Sequence, residues 1–289
     1  MGDNSGVPDS LWKALFEWSI RHQDGTSSTS STSSSTAAPL SDTDRQWLEE
    51  ALASGMVDLS KQLVEIKTQL ETSLPSSATQ EDVDRDTENK ARLLDELLDL
   101  VESIDQAKDL STIGGLSTLL RVIDNGVPCL QWRAAEVIAT CAQNNPEVQA
   151  SFFRDGVMPK IWDLLSSEDA TCRLKALLAV SCLVRGSTEV QAWWSAHDGV
   201  GKIVGMLTRD TENNKENARI ERKCLQILSY IADNPTVQDR EQLVSQSAEI
   251  ERALVRVISS SDDHDVEMAA IELGKSLGLH SIFKNVSPH

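Results

Sequence analysis

The feature that most limits what this chain can fold into is a repeat in its second half. Gly115–Asp124 (GLSTLLRVID), Gly156–Ser166 (GVMPKIWDLLS) and Gly199–Thr208 (GVGKIVGMLT) carry the same apolar spacing behind a glycine, and a weaker copy runs over Glu249–Ser259 (EIERALVRVIS). The three glycines lie 41 and 43 residues apart. Each copy is followed by a turn and a longer helical pattern: WRAAEVIATCAQN, RLKALLAVSCLVR and RKCLQILSYIADN. Thr140-Cys141 and Ser181-Cys182 repeat at 41 residues. Behind them come Pro146-Glu147-Val148-Gln149, Thr188-Glu189-Val190-Gln191 and Pro235-Thr236-Val237-Gln238. A period near 40 residues with two or more helices per unit is the armadillo/HEAT signature. One such unit cannot bury its apolar face alone, so units stack. The sequence therefore predicts an all-α fold, an armadillo-like α-solenoid of about four repeats, the last degenerate. The glycine opening each copy is expected to let backbones approach closely between units. The third copy carries extra residues, DTENNKENA, in its turn.

The rest of the chain reads as appendages to that stack. Residues 1–40 form a flexible N-terminal segment. It holds a short amphipathic stretch, LWKALFEWSIRH, and then DGTSSTSSTSSSTAAP, which has nothing to bury and reads as a disordered linker. Residues 41–108 are a helical cap, with apolar stripes at Trp47, Leu48, Ala51 and Leu52, at Leu59, Leu63, Ile66 and Leu70, and at Leu94, Leu97, Leu98 and Val101. Asp95, Glu96, Asp99 and Glu102 lie opposite, as a solvated face does. Residues 109–280 hold the repeats and 281–289 a tail.

Charge narrows the function classes. Lys and Arg number 27 against 45 Asp and Glu, a net charge of −18. A nucleic-acid binder needs a basic footprint, and so does a protein that docks on anionic lipid, so neither nucleic acid nor membrane is the expected partner. No run of about 18 apolar residues offers a membrane span, and the polar, acidic N-terminus does not read as a signal peptide. Five cysteines without CxxC spacing make neither a disulfide framework nor a zinc site, and fit a reducing, cytoplasmic location. The five histidines are scattered, and HExxH, GxSxG and GxxxxGK are absent. The run Ser260-Ser261-Asp262-Asp263-His264-Asp265 reads as a polar loop, since triads converge in space rather than in adjacent sequence. The chain is expected not to be an enzyme, with no catalytic residues, no metal and no cofactor.

An acidic solenoid without chemistry binds another protein, in armadillo units along the face lined by the third helices. A 41-residue offset carries Glu136, Thr140 and Asn144 of the first repeat onto Leu177, Ser181 and Arg185 of the second, and the same side of the third repeat's helix holds Leu225 and Ser229. It puts Ala135, Ile138, Cys141, Ala142, Ala176, Ala179, Cys182 and Leu183 in the core.

Several segments also resemble one family. Leu15-Phe16-Glu17-Trp18-Ser19-Ile20 followed by Asp24-Gly25-Thr26 resembles the L-x-W-S-I…D-G-T segment of the Fes-one/heat-shock-protein-70-binding-protein-one family. Val101-Glu102-Ser103-Ile104-Asp105-Gln106-Ala107-Lys108-Asp109-Leu110 resembles its cap-to-repeat junction. Ile113-Gly114-Gly115-Leu116, Arg133-Ala134-Ala135-Glu136-Val137-Ile138 and Val180-Ser181-Cys182-Leu183-Val184-Arg185 continue in order. The likeness runs from about residue 11 to about 245. It implies a co-chaperone, a nucleotide exchange factor that wraps one lobe of the ATPase domain of a cytosolic heat shock protein 70 so that the cleft opens and ADP and substrate leave. It also implies that the N-terminal segment mimics substrate, through Leu15, Phe16, Trp18 and Ile20, although the long Ser/Thr tract departs from some members. Ala107 sits in the family's Asp-x-Ala pattern, where a small residue serves either a partner's close approach or tight packing on the next helix. Arg222, read as opening the third helix of repeat three beside Lys223, either offers a fork to a chaperone carboxylate or is solvated. The alternative is a generic armadillo scaffold or adaptor. Its importin-like variant needs ladders of Trp and Asn on the third helices, where this reading has Glu136, Thr140, Leu177 and Ser181.

Overall fold

The computed structural model describes residues 59–209, 215–261 and 263–279. The chain divides after Leu59 into two units. The stretch at 11–22, the Ser/Thr tract, the stripe around Trp47 and the tail at 281–289 lie outside the described residues, as do Leu15, Phe16, Trp18 and Ile20.

Fourteen helices run through the described residues. The first pair, α1 (Leu59–Glu71) and α2 (Gln80–Val101), forms the cap. Four triplets follow. The first is α3 (Ile104–Thr112), α4 (Gly115–Asp124) and α5 (Pro128–Ala142), and the second is α6 (Pro146–Arg154), α7 (Val157–Leu164) and α8 (Ala170–Gly186). The third is α9 (Thr188–Ala196), α10 (Gly199–Thr208) and α11 (Lys215–Asp233), and the fourth is α12 (Val237–Ser245), α13 (Ser247–Ser260) and α14 (His264–Ser276). The third helices α5, α8, α11 and α14 pack successively on one another, and α2 packs on α5 as a third helix would. The first repeat opens at Ile104, five residues before the expected boundary at 109.

Local chemistry sets the repeat length at 42. The residues that precede the first helix of the first three triplets are Ser103, Asn145 and Ser187, each 42 from the last, and Thr236 before the fourth follows Ser187 by 49. Asn145 Oδ1 accepts from Val148 N at 3.5 Å and Ser187 Oγ from Val190 N at 3.3 Å, the N-cap bonds that satisfy otherwise orphaned amides. Left-handed residues turn the chain from first to second helix at Gly114, Gly156 and Asp198, again 42 apart. At 198 no glycine is present. Aspartate tolerates that conformation among side-chain-bearing residues, and its Oδ1 accepts from Gly201 N at 3.3 Å. Aligning Gly115, Gly156 and Gly199 is thus out of step by one residue at the middle copy.

Gly115 and Gly199 have a different task. A Cβ on Gly199 would lie 2.0 Å from the Trp194 indole, and one on Gly115 2.2 Å from Leu110. The close approach is between first and second helices of one repeat, not between repeats as the sequence suggested. The extra residues of repeat three also fall differently. From Lys215 they are already helix, lengthening α11.

The core is continuous from cap to last repeat, with Leu63, Leu94, Leu119, Phe152, Ile161, Trp194, Ile203 and Leu254 fully buried. Polar clasps tie successive units. Glu71 receives bonds from Lys67 at 2.8 Å, Thr118 at 2.6 Å and Arg121, which joins α1 to α4. Those partners, the Lys67 bond foremost, hold its carboxyl at about 2. Ser195 Oγ donates to the buried Asp239 at 2.7 Å, and Thr236 Oγ1 donates to it at 2.8 Å, joining α9 to α12.

Between repeats one and two, Gln149 Nε2 donates to Ala142 O at 2.7 Å and to Cys182 O at 3.2 Å, satisfying end carbonyls of α5 and α8 at once. Gly186 makes room for this side chain, since a Cβ there would lie 1.7 Å from Gln149 Oε1. Gly186→Ala therefore displaces the clasp. The expected outcome is a loss of about 1–3 kcal/mol, the usual cost of overpacking, read as a melting temperature several degrees lower. An unchanged melting temperature would show that Gln149 does not hold the repeats together.

A basic groove along the third helices

A third helix is covered on two sides by its neighbours in the stack, which leaves one strip open. On α5 that strip includes Trp132, Arg133 and Glu136, on α8 Leu174, Lys175, Leu178, Cys182 and Arg185, and on α11 Arg219, Arg222, Lys223, Gln226 and Tyr230, all half-buried or exposed. Steps of three and four keep each set on one helical face.

Two depressions share Leu178 and Lys223. One, of about 250 Å³, lies between α8 and α11 over Leu174, Lys175, Leu178, Arg219, Arg222, Lys223 and Gln226. The other, of about 510 Å³, is bounded by Gln143, Asn144, Pro146, Ser181, Cys182 and Arg185 near the ends of α5 and α8.

The groove is basic although the chain is strongly acidic. Lys175 is ion-paired with Glu136 and its ammonium lies 5.8 Å from the Trp132 ring centre. Arg133 bonds Asp95 at 2.7 Å and stacks on the same indole at 4.0 Å. Arg222 is paired with Asp263, the residue capping α14. Arg185 donates to Gln226 O at 3.1 Å and lies over the Tyr230 ring at 5.2 Å. Arg185, Arg219 and Lys223 have no carboxylate partner among the described residues. Burial pushes the Lys223 ammonium below the ordinary lysine range, and the Arg185 charge acts in the same direction. Among the described residues no group of three His, Cys, Asp or Glu is placed to hold a metal ion, and no helix is long and apolar enough to cross a membrane.

The expected face residues scatter across this geometry. Arg185 lies in the groove, exposed, and Ser181 lines its floor while almost buried. Glu136 is on the strip but engaged by Lys175. Thr140 and Ser229 are half-buried at its margin and Asn144 is exposed. Leu177 and Leu225 are fully buried and face no partner. The physical reason is register. The true step from repeat one to two is 42, so Glu136 corresponds to Leu178 and Thr140 to Cys182. A slip of one residue turns a helix by about 100° and exchanges surface for core. For the same reason Cys182, expected in the core, lines the groove. Ala107 is 1% exposed inside α3, so the packing reading of that small residue holds and close approach by a partner does not. Arg222 does not open a helix but lies inside α11, and its Nη2 is already engaged by the Asp263 carboxylate. Trp132, Leu174, Leu178, Arg219 and Lys223 were missed. Counting by 42 from Trp132 reaches Leu174 and would have found two of them.

Comparison with known proteins follows the same order along the chain. The family model "Nucleotide exchange factor Fes1" matches residues 12–110, and the model "SIL1/FES1/HPBP1 C-terminal domain" matches residues 106–253. "Hsp70-binding protein 1" of Rattus norvegicus is 34% identical over 152 residues, covering 51% of this chain and 43% of that protein. "Hsp70 nucleotide exchange factor FES1" of Yarrowia lipolytica is 30% identical over 155 residues, covering 53% of this chain and 54% of that protein. The chain thus spans about half the length of the curated relatives it matches. A solved structure of computationally designed armadillo repeat proteins for modular peptide recognition superimposes with a TM-score of 0.59 at 18% identity, over 81% of this chain and 94% of the other. That likeness is one of fold, and the fold is an armadillo-type solenoid.

The five thiols report the groove's boundary. Cys141, Cys172 and Cys224 are fully buried, and burial pushes Cys141 and Cys172 up to about 12 and Cys224 higher than an ordinary thiol. Cys129 and Cys182 are half-buried, and burial raises Cys182 against the opposing charges of Lys223 and Arg185. Since the thiolate is the reacting species, alkylation of the native protein is expected to modify slowly Cys129 and Cys182 alone, with the other three reacting only in denaturant. Mass-spectrometric mapping that finds native Cys224 labelled would contradict this packing.

Proposed function

The chain belongs to the SIL1/FES1/HPBP1 family, and we propose that it is a co-chaperone, a nucleotide exchange factor for a cytosolic heat shock protein 70. The observation that carries this reading is the unbroken succession of the two family matches from residue 12 to residue 253. They span the cap and three of the four repeats, and with them the groove. The partner is the ATPase domain of the chaperone, docked along the third helices.

The mechanism is a population shift. A rigid stack that fits the open ATPase domain better than the closed one moves the equilibrium toward open by its differential affinity. Turning a state populated at about 1% into one populated at about 99% takes a preference of about 10⁴-fold, or about 5.5 kcal/mol. No side chain of this protein need touch the nucleotide, and the protein performs no chemical step of its own. Support for rigidity comes from the continuous core and the clasps at Glu71, Gln149 and Asp239, which resist bending when a partner pulls on the groove. Arg185 and Ser181 remain contact residues in this reading, with Glu136 beside them. In the N-terminal segment, Leu15, Phe16, Trp18 and Ile20 act as the substrate mimic that keeps freed clients from rebinding.

Release of a fluorescent ADP analogue from the chaperone tests the proposal. The purified protein is expected to accelerate release by more than tenfold at saturation while hydrolysing no ATP itself. An unchanged release rate at saturating protein would overturn the reading.

A further inference from the structure

The groove carries information about the chemistry of whatever enters it. Its floor between α8 and α11 is apolar, from Leu174 and Leu178. Its walls hold three cations, Arg185, Arg219 and Lys223, that no carboxylate of the described residues neutralises. The cations nearby that do have acidic partners, Arg133, Lys175 and Arg222, are paired across the stack, to Asp95 of the cap, Glu136 of the repeat before and Asp263 of the repeat after. The protein thus neutralises charge where the charge serves its own packing and leaves it open where the strip faces outward. In a chain of net charge −18 this is an arrangement against the average.

We propose that the groove between α8 and α11 seats an acidic segment of the partner, its carboxylates on Lys223, Arg185 and Arg219 and one apolar side chain on Leu174 and Leu178. The inference rests on the functional reading above and deepens it, because it names the kind of element on the ATPase domain that the exchange factor grips. Three features favour a short acidic protein segment over a nucleic acid. Double-stranded DNA carries a charge about every 1.7 Å and would meet the acidic remainder of the surface on either side. The cations sit on an apolar floor, which suits an alternation of carboxylate and apolar side chain. The half-buried Lys223 ammonium has lost much of its hydration without a compensating anion, and an arriving carboxylate restores the stability of its charged form.

Charge complementarity of this kind acts on encounter and on register, and it is screened by salt. The experiment measures the affinity of the full-length protein for the nucleotide-free ATPase domain of a cytosolic heat shock protein 70, at about 50 mM and about 200 mM salt. Variants are Arg219→Gln, which is exposed, and the double variant Arg219→Gln, Lys223→Gln. Arg240→Gln, exposed on α12, removes a charge outside the groove and is the control. ADP release by the wild type is followed in parallel. The expected result is a loss of affinity of about tenfold or more in the double variant, a smaller loss in Arg219→Gln, and a shallower salt dependence in both, with Arg240→Gln like wild type. If the double variant fails to fold, Arg219→Gln alone decides by its affinity and salt slope. Wild-type affinity and salt slope in the groove variants, with wild-type ADP release accelerated, would overturn the acidic segment and leave the exchange reading standing. Weakened binding with an unchanged salt slope would also overturn it, because the contact would then not be one of charge. If the wild type neither binds the ATPase domain nor accelerates release, the functional reading falls and the inference falls with it.

Discussion

Everything in this molecule depends on one constraint: a three-helix unit cannot bury its own apolar faces. Each repeat must lend a face to its neighbours, and the third helices meet this demand twice, once toward each side. What remains of a third helix is a single open strip. The groove is therefore a by-product of stacking, and its position follows from the fold before any partner is considered. The cap obeys the same rule. Helix α2 covers the first repeat as a third helix would, and the Glu71 cluster fastens α1 over it.

Polar contacts decide how firmly the units hold. Apolar burial is non-directional and would tolerate sliding, whereas a bond such as Gln149 Nε2 to Ala142 O or Ser195 Oγ to Asp239 fixes one register. The Ser195–Asp239 bond lies among first helices, whereas Gln149 sits at the ends of α5 and α8, where it also lines the larger depression of the groove. The strip itself is left with charges that the stack does not use, and the acidic charge of the chain lies elsewhere.

The fold was legible because it rests on periodicity, which survives in sequence even when individual residues vary. The count of repeats and the helical class followed from Gly115, Gly156, Gly199 and the segments behind them. The groove was legible only in outline. Its register depends on whether the step is 41 or 42, and the two values differ by about 100° around a helix. The left-handed residue of the third repeat is Asp198 rather than a glycine, so the most visible landmark was one residue out of place. The unpaired cations of the groove, Arg185, Arg219 and Lys223, span 38 residues of the chain, and only stacking brings Arg185 to Lys223. Arg222 shows the converse. In sequence it is an arginine beside a lysine, and its use by Asp263 appears only when α14 is in place.

In the proposed mechanism the partner docks on the third-helix strip and not on the layer of first helices. Site-specific photo-crosslinking tests it most directly, with the reactive side chain placed either at Gln226, exposed on α11 in the groove, or at Arg154, exposed on α6. Docking on the strip gives a crosslink to the chaperone's ATPase domain from position 226 that disappears when ATP is added, and none from position 154. A crosslink from 154 with none from 226 would contradict it.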